Sequence, residues 1–327
     1  MRRFGQFLAL LAALIPLAAA AFDLQGHRGA RGLAPENTLP AFAAALSAGV
    51  STLELDTGVT RDGVVVIAHD RRLNPDITRD AGGRWLEPPA PTVHSLTLAE
   101  LQGYDVGRIK PGIDYARRYP EQRALDGTRM PRLLDLIHLI RKSGNRAVRL
   151  NIETKISPLE PEETVDPDAF ARALLDVVRA EGMESRVTVQ SFDWRTLRAV
   201  QRLAPGVETS CLTAQQKWLD NVGAGDPAGS PWVAGFQYKE HGSVPRMVKA
   251  AGCGTWSPFF GDLDRAKAAE AKALGLKVLP WTVNEPAQIS ALLDLGVDGL
   301  ITDRPDVARR VMAERKMPLP AATPVTP

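Results

Sequence analysis

The sequence predicts an α/β protein built as a (β/α)8 TIM barrel, with a small insertion after the second barrel strand and its hairpin. Short β-rich runs alternate with amphipathic, helix-like runs along most of the chain, which is the pattern of βαβ units and a parallel sheet. Nine strands are predicted, and one of them folds back as a hairpin, so that eight parallel strands remain. Eight parallel strands with helical crossovers close into a barrel. An open, doubly wound sheet is the alternative fold, but no glycine-rich dinucleotide motif follows the first strand.

The elements follow one another in a regular order. The predicted strands are Asp23–Gly26, Thr52–Thr57, Val64–Ala68, Val148–Thr154, Val187–Ser191, Val207–Leu212, Gly254–Ser257, Lys277–Thr282 and Gly299–Thr302. The predicted helices are Leu39–Ala48, Pro131–Ser143, Pro167–Glu181, Trp194–Leu203, Asp262–Leu274 and Glu285–Leu295. Only seven residues lie between Asp56 and Val64, whereas a parallel crossover needs about a dozen or more. The turn Arg61-Asp62-Gly63 therefore predicts that Val64–Ala68 runs antiparallel to the strand before it.

The N-terminus has the features of a secretory signal peptide over residues 1–21. Arg2 and Arg3 supply positive charge, an apolar run follows, and small residues lie near Ala21. The alternative is an uncleaved membrane anchor, but the apolar run is short for a membrane span. We therefore expect export to the periplasm or the medium, and a mature protein without a stable membrane span.

The rest of the chain is expected to form a single barrel domain over 22–316. Within it, the stretch of about 70–127 is broken by glycines and prolines and holds one short helix-like piece, Leu98–Gln102. A loop of this length in a compact domain is usually functional, so we expect an insertion that caps one end of the barrel. The tail over 317–327 is rich in Pro, Ala and Thr and is expected to be disordered.

The composition narrows the classes of function and partner. It is that of an ordinary globular protein, with 44% hydrophobic and 24% charged residues. The 40 basic and 38 acidic residues are mixed along the chain, and no basic block or aromatic-interleaved basic stripe is present. Nucleic acid is therefore not expected as a partner. Cys211 and Cys253 are expected to have no structural or metal-binding role, although the sequence leaves a disulfide between them open.

Three carboxylates are placed for a metal site. Glu54 and Asp56 are two residues apart on one predicted strand, so their side chains point to the same face. Both lie near the C-terminal end of their strand, as Glu153 does on the next, and barrel enzymes place catalysis at this end. Carboxylates that converge there would repel one another without a cation, and hard oxygen ligands favour Mg2+ or Ca2+. Each acid taken alone is equally well explained as an ordinary residue at a strand–loop boundary.

Two histidines and two basic residues flank these carboxylates. His27 follows the first strand and His69 follows the hairpin strand. Phosphodiester hydrolysis requires one group that activates a nucleophile and one that protonates the leaving oxygen, and histidine suits both tasks. Arg28 can grip a phosphoryl group through its fork of donors, and Lys155 can add a point charge. The other three of the five histidines lack such neighbours and are expected to be structural.

Short motifs surround these residues and continue to the end of the chain. In order, they are His27-Arg28-Gly29, Pro35-Glu36-Asn37-Thr38, Ala41-Phe42, Gly49, Glu54-x-Asp56, Asp62-Gly63, Val66, His69-Asp70, Asn151-Ile152-Glu153-Thr154-Lys155, Ser191-Phe192, Trp281-Thr282-Val283-Asn284 and Asp298-Gly299-Leu300-Ile301-Thr302-Asp303. Together they closely resemble the signature of the glycerophosphodiester phosphodiesterase family. The matches keep the family's order, and a match of this extent is far more specific than any one motif.

The resemblance implies a reaction and a cofactor. Members of the family adopt a (β/α)8 barrel and hydrolyse glycerophosphodiesters, such as glycerophosphocholine, to glycerol 3-phosphate and an alcohol. By residue-level correspondence, Glu54, Asp56 and Glu153 would ligate one divalent cation, Mg2+ or Ca2+. The expected partner is thus a small glycerophosphodiester substrate.

The resemblance also implies roles for the neighbouring side chains. His27 and His69 would form the general acid/base pair, and Arg28 and Lys155 would contact the substrate phosphate. Trp281, at a strand end, is expected either to line the substrate pocket or to pack in the core.

Several polar neighbours are expected to support this site without acting in it. Asn37 or Thr38 would cap the helix that follows the first strand. Asp70 would orient His69 or bond the loop, and Asp303 would support the site from behind.

Two other functions remain open. A phospholipase D- or C-like hydrolase of lysophospholipids would use the same barrel and should carry an apolar rim on the insertion, but the segment Arg108–Tyr119 has no long apolar run. A non-catalytic binding protein should lack at least one metal ligand or histidine, and none is missing. The sequence therefore favours an enzyme that hydrolyses small glycerophosphodiesters, and it leaves the preferred alcohol open.

Overall fold

The computed structural model describes residues 21–327, so the predicted signal peptide lies outside the described residues apart from Ala21. The strands are β1 (Asp23–Gly26), β2 (Thr52–Val59), β3 (Val65–Ile67), β4 (Arg149–Thr154), β5 (Val187–Ser191), β6 (Glu208–Thr213), β7 (Gln215–Gln216), β8 (Leu219–Asp220), β9 (Thr255–Pro258), β10 (Lys277–Val278) and β11 (Gly299–Thr302). The helices are α1 (Leu39–Ala48), α2 (Leu98–Leu101), α3 (Asp114–Arg118), α4 (Leu133–Lys142), α5 (Pro167–Ala180), α6 (Trp194–Leu203), α7 (Tyr238–His241), α8 (Val244–Ala250), α9 (Arg265–Ala273), α10 (Pro286–Leu295) and α11 (Pro305–Glu314). None of these helices is both long enough and apolar enough to cross a lipid bilayer.

Eight of the strands run parallel and form a barrel that is nearly closed. Their order is β10-β9-β6-β5-β4-β2-β1-β11. Backbone hydrogen bonds bridge the gap between the first and last strands, from Asp298 N to Val278 O and from Ile301 N to Pro280 O, each at 3.0 Å. A helix follows each barrel strand, and buried apolar side chains fill the space between sheet and helices. The predicted (β/α)8 barrel is confirmed.

The hairpin predicted after the second barrel strand is also present. β3 pairs antiparallel with β2, and Thr57 lies opposite Ile67. The strand predicted over Lys277–Thr282 is shorter, because β10 ends at Val278. Pro280 has no N–H to donate to a neighbouring strand, so the ladder cannot continue regularly through it.

Strand β2 shows how the sequence places acidic groups inside the barrel. Seven of its eight residues are buried, and alternate side chains point to opposite faces. Leu53 and Leu55 join the apolar core. Glu54 and Asp56 therefore share the other face, which lines the barrel interior.

The insertion over 70–127 has a small core of its own. Its apolar side chains pack with those of β3 and the following loop, and this cluster comprises Val66, Ala68, Leu73, Ala90, Val93, Leu101, Val106 and Met130. Helix α3 of the insertion carries Tyr115 and is followed by Tyr119, and their hydroxyl groups donate to Glu36 and Asp303, respectively. The insertion is therefore in contact with the C-terminal mouth of the barrel.

The expectation that the two cysteines have no structural role is wrong. Cys211 and Cys253 form a disulfide, and their Cα atoms are 5.9 Å apart. Cys211 lies in β6, and Cys253 comes two residues before β9, which pairs with β6. The two residues are 42 apart in sequence, and the parallel pairing of β6 with β9 brings them within bonding distance.

The tail over 317–327, for which the composition predicts disorder, has no helix or strand but contacts the barrel. Thr323 N donates to Leu46 O at 2.8 Å, and Lys142 Nζ donates to Thr326 O at 2.8 Å. Met317 and Val325 pack against the main core. Apolar side chains spaced along a polar tail are enough to give it a packing surface, which composition alone does not reveal.

Candidate active site

The three predicted metal ligands lie together at the C-terminal end of the barrel strands. Glu54 and Asp56 come from β2 and Glu153 from β4, and Asp56 and Glu153 are register partners. One carboxylate oxygen of each residue lies within 4.8 Å of the others, and all three side chains are buried. This set of hard oxygen donors could hold a divalent cation.

The pKa values of this cluster reflect burial, repulsion among the carboxylates and the positive charges beside them. Burial and the Asp56 carboxylate raise the pKa of Glu54 well above its usual range. Burial, opposed by Lys155, raises the pKa of Glu153 to about 7. Burial would also raise the pKa of Asp56, but the charges of His69, Arg28, Lys155 and His27 hold it below its usual range. A cation among the three oxygens would favour the ionised form of all three groups, so the donor set fits such an ion.

Hydrogen bonds hold two of the carboxylates in place. Gln190 Nε2 donates to Glu54 Oε1 and the backbone N–H of Arg28 donates to Glu54 Oε2, each at 2.8 Å. Asn37 Nδ2 donates to Asp56 Oδ2 at 2.8 Å. Each carboxylate oxygen has further lone pairs, so these bonds orient the ligands without using up their capacity to bind a cation.

His27 follows β1 and is held by a buried carboxylate. Its Nδ1 lies 2.6 Å from Asp303 Oδ1, and Arg31 and Asn284 donate to the same carboxylate at 2.9 and 2.8 Å. With Nδ1 engaged, the other ring nitrogen, Nε2, lies 3.9 Å from Glu54 Oε2. Burial and the nearby charge of Arg31 lower the pKa of His27 to about 4, so the ring is uncharged near neutral pH.

His69 is held in the same way. Its Nδ1 lies 2.9 Å from Asp70 Oδ1, and Asn74 Nδ2 donates to Asp70 Oδ2 at 2.8 Å. Burial and the charges of Arg28 and Lys155 lower the pKa of His69. Both histidines thus pair Nδ1 with a carboxylate, which fixes the ring and leaves Nε2 for proton transfer.

Both predicted phosphate-binding residues lie beside the carboxylates. Lys155 Nζ is 2.7 Å from Glu153 Oε1 and 3.8 Å from Asp56 Oδ1. Arg28 Nη1 donates to Glu36. Arg28 Nε lies 3.2 Å from Asp56 Oδ2 outside hydrogen-bond geometry, and it has no other acceptor among residues 21–327. A buried guanidinium donor next to the cluster therefore remains for a ligand.

The turn after β1 brings the Arg28 backbone to the site. Arg28 has a φ of 48° and Gly29 a φ of 84°. A Cβ atom at Gly29 would lie 2.6 Å from the carbonyl carbon of Ala41 in α1, so the turn requires glycine there. Thr38 caps α1 by accepting a hydrogen bond from Ala41 N at 3.4 Å, as one of the two predicted caps. This close packing of turn and helix directs the Arg28 N–H at Glu54.

Trp281 lies in a cluster of aromatic rings on the other side of the mouth. Its ring centroid is 5.3 Å from that of Phe192, 5.7 Å from Phe259 and 6.1 Å from Trp218. Phe192 follows β5, Phe259 follows β9, and Trp218 lies in the turn of the β7–β8 hairpin after β6. The three carboxylates lie in β2 and β4 and the two histidines follow β1 and β3, so the mouth has a charged side and an aromatic side.

Some residues of the site are named by sequence reasoning only in general terms, and others are missed. Asp303, which is expected to support the site from behind, is the direct partner of His27. Gln190 has one sequence signal, since it is a polar residue in an otherwise β-rich strand run. Arg31 and Tyr115 have none, because they reach the site through a loop and an insertion whose positions depend on the folded barrel.

The fold and the site together define a barrel enzyme with an acidic centre that could hold a cation and with two histidines that are paired with carboxylates. Residues 27–307 match the family model described as "Glycerophosphoryl diester phosphodiesterase family". The chain belongs to this family and is a hydrolase of the phosphodiesterase class.

Individual relatives agree with this assignment. A glycerophosphodiester phosphodiesterase from Caldanaerobacter subterraneus subsp. tengcongensis is 28% identical over 280 residues, which is 86% of this chain and 93% of the relative. A crystal structure from Silicibacter pomeroyi that carries the family's name has 37% sequence identity and a TM-score of 0.80, and it covers 91% of this chain and 95% of the other. A phosphodiesterase from Oleispira antarctica, in complex with the product sn-glycerol-3-phosphate, has the same fold at 21% identity and a TM-score of 0.65, covering 89% and 96% of the two chains.

Proposed function

We propose that this protein hydrolyses glycerophosphodiesters to glycerol 3-phosphate and an alcohol, using one divalent cation and two histidines. The observation that carries the proposal is the buried cluster of Glu54, Asp56 and Glu153, with His27 Nε2 3.9 Å from Glu54 Oε2. The substrate class comes from the family and from the activity named for the Caldanaerobacter relative.

The cation is assigned as Mg2+ or Ca2+ because the donor set consists of carboxylates. Oxygen ligands of this kind suit hard cations, whereas histidine or cysteine ligands would suit softer ones. When bound, such an ion draws charge from the phosphoryl oxygens and so stabilises the transition state. Glu54, Asp56 and Glu153 are the residues that would hold it.

The two histidines divide the proton transfers in this proposal. His27 is uncharged near neutral pH, and its bond to Asp303 stabilises the positive ring that forms when Nε2 takes a proton from the nucleophile that attacks phosphorus. His69 has the more exposed ring, 29% against 11% for His27, so it can exchange protons with water and give one to the leaving oxygen. Asp70 has the same orienting role for His69.

Arg28 and Lys155 are assigned to the substrate phosphate. Both lie within 4 Å of Asp56, so a phosphoryl group near the carboxylate cluster would be within reach of both charges. The Nε donor of Arg28 is the specific group available to a phosphate oxygen. Positive charge held at this position costs no reorganisation when the transition state forms.

The proposal is tested by the release of glycerol 3-phosphate from glycerophosphocholine, with added Mg2+, added Ca2+ or a chelator. We expect release that depends on a divalent cation and stops on chelation. Activity that survives thorough removal of metal would contradict the cation assignment. Faster release of product from lysophosphatidylcholine than from any glycerophosphodiester would instead assign the site to lysophospholipids.

The aromatic side of the mouth is proposed to receive the part of the substrate that leaves as the alcohol. The rings run without a gap from Phe192, whose centroid is 5.8 Å from Lys155 Nζ, through Trp281 to the 59% exposed Trp218. Aromatic faces attract quaternary ammonium groups and bury apolar carbon. Trp281 would thus line the pocket near the phosphate, and Trp218 would contact the outer part of the alcohol.

Replacing Trp218 by alanine should therefore raise KM for glycerophosphocholine by about 3- to 30-fold with little change in kcat, the range that follows from one cation–π contact. Steady-state kinetics measure KM for both substrates. Glycerophosphoglycerol is the comparison substrate: its alcohol carries no charge, so its KM should rise less. Leu319→Ala, in the tail, is the matched control because it also removes an exposed apolar side chain. Equal KM values for the wild type and Trp218→Ala on both substrates would rule out this contact.

We also propose that the protein is exported. The composition of residues 1–21 supports this, and so does the Cys211–Cys253 disulfide, since such bonds persist mainly in oxidising compartments. Mass spectrometry of the protein recovered from a periplasmic or culture fraction should find an N-terminus close to Ala21. Full-length chain found only in the cytosol would contradict export.

A further inference from the structure

A chain of buried side-chain amides crosses the barrel from its N-terminal end to the metal ligand Glu54. Gln25 Nε2 donates to Asp23 Oδ2 at 2.7 Å. Asn151 Nδ2 donates both to Gln25 Oε1 and to Gln190 Oε1, each at 2.9 Å. Gln190 Nε2 in turn donates to Glu54 Oε1 at 2.8 Å. We call Asp23, Gln25, Asn151 and Gln190 the amide chain.

The amide chain occupies positions that barrels usually fill with apolar side chains. Gln25 and Asn151 come from the first and third barrel strands, and Glu54 and Gln190 come from the second and fourth, so they belong to two successive interior layers. The three amides are at most 3% exposed. Polar groups at such positions cost stability unless they are hydrogen-bonded. Among the amide groups of these three residues, Asn151 Oδ1 is the one buried atom without a partner in residues 21–327, and the bonds of the others define one arrangement of the interior.

The direction of every hydrogen bond in the amide chain follows from its far end. A carboxylate only accepts, and Asp23 also accepts from Ser51 and Thr52 at 2.7 and 2.6 Å. Gln25 must therefore present its NH2 group to Asp23 and its carbonyl oxygen to Asn151.

The orientation of Gln25 also determines how Gln190 faces the metal ligand Glu54. The NH2 group of Asn151 serves both glutamine oxygens, so Gln190 is left with its own NH2 group for Glu54. Were Gln190 turned over, its carbonyl oxygen would face the Glu54 carboxylate, and two acceptors would repel each other.

We propose that Gln190 is a positioning residue for the cation ligand Glu54, and that the amide chain anchored at Asp23 fixes its orientation. The inference rests on the proposed cation site. Partners that hold a metal ligand from behind typically change metal affinity by about 10- to 100-fold when they are removed. Through the amide chain, metal affinity would depend not only on Gln190 but also on Asp23, at the opposite end of the barrel.

The first test replaces Gln190 by methionine, which has a similar shape but neither donates nor accepts in this way. Calorimetric titration of the metal-free protein with Mg2+ and with Ca2+ should give a dissociation constant about 10-fold or more above that of the wild type. Gln201→Met is the matched control. Gln201 Nε2 donates to Thr209 Oγ1 and Ala251 O away from the site, so this change also removes two hydrogen bonds and should leave the dissociation constant unchanged.

The second test acts at the far end, at a residue that is only partly buried. Asp23→Asn removes the group that only accepts, so Gln25 is free to turn, and only Glu54 itself then orients Gln190. We expect cation binding to weaken by several-fold. Asp298→Asn is its control, because the Asp298 side chain accepts from the backbone N–H of Val278 and makes no hydrogen bond to a side chain of the amide chain.

The outcomes separate this inference from the proposed function. A folded wild type that binds no divalent cation would overturn the proposed site and this inference with it. If the wild type binds and Gln190→Met binds equally well, only the positioning role is wrong. Should Gln190→Met fail to fold, Asp23→Asn decides the question. Wild-type cation affinity in Asp23→Asn would contradict the proposal that Asp23 helps to orient Gln190.

Discussion

Replacing His69 by alanine should lower kcat by about 10²- to 10⁴-fold, the usual contribution of a positioned acid or base, while cation affinity stays close to that of the wild type. The reason is that His69 pairs with Asp70 and lies outside the set of three carboxylates. The ring is 29% exposed, so its removal should leave little strain in the core. Initial rates at saturating glycerophosphocholine measure the loss, and calorimetry measures the cation affinity.

The control for this prediction is His138→Ala. His138 lies on α4 with an exposed side chain, so losing it should change neither quantity. A His69→Ala protein with near-normal turnover would remove His69 from the chemistry. Loss of activity together with loss of cation binding would instead show that His69 supports the metal site.

The architecture could be predicted from the sequence because local patterns define it. The alternation of strands and helices predicts the barrel, and the short link before Val64 predicts the antiparallel hairpin; the structure has both. The bounds of Asp23–Gly26 and Trp194–Leu203 agree with the structure, since turn and cap residues mark them clearly. Strand β10 was harder to delimit, because Pro280 interrupts the ladder inside a run that reads as β-rich.

The candidate site was predictable to the extent that its residues come from strand ends. Glu54, Asp56 and Glu153 meet because parallel strands of a barrel end at the same mouth. The partners of the histidines are less accessible to sequence reasoning. Asp303 reaches His27 from the last strand of the barrel, 276 residues away, and only closure of the sheet makes them neighbours.

Interactions that depend on tertiary placement were missed for the same reason. The Cys211–Cys253 disulfide requires that β6 and β9 be adjacent, although a hairpin and two helices separate them in sequence. The side-chain amide of Gln190 holds Glu54, but the sequence shows Gln190 only as a polar residue in a strand. A periodic pattern shows which face a residue lies on but not which side chain it meets there.

Glu153→Gln should abolish cation-dependent activity and make the metal-free protein more stable at alkaline pH. Loss of one of three ligands removes stabilisation of phosphoryl charge worth several kcal/mol, so kcat/KM should fall by roughly 10³-fold or more. Burial, opposed by Lys155, raises the pKa of Glu153 to about 7, so its surroundings disfavour the charged form. A neutral amide of the same shape avoids that cost.

The gain in stability should depend on pH with a definite sign. Because the folded-state pKa of Glu153 lies above the ordinary value of 4.5, ionisation of this group destabilises the fold as pH rises from about 4.5, and the cost is full above pH 7. The metal-free variant should therefore be more stable than the metal-free wild type at pH 8, by on the order of 1–3 kcal/mol. The two proteins should become alike below about pH 4.5, where the group is protonated in both the folded and the unfolded chain.

Thermal unfolding with and without Mg2+ or Ca2+ measures both parts of this prediction. Bound cation should raise the melting temperature of the wild type, since a ligand that binds only the folded state stabilises it, and this shift should vanish in Glu153→Gln. Glu163→Gln is the control, because Glu163 accepts hydrogen bonds from Arg71 and Arg72. Burial would raise the pKa of Glu163, but these two arginines outweigh it and lower the pKa. The same change at Glu163 should therefore reduce stability. A cation-dependent shift retained in Glu153→Gln would remove Glu153 from the ligand set. Lower stability of the metal-free variant at pH 8 would show that the Lys155 pairing outweighs the burial of the charge.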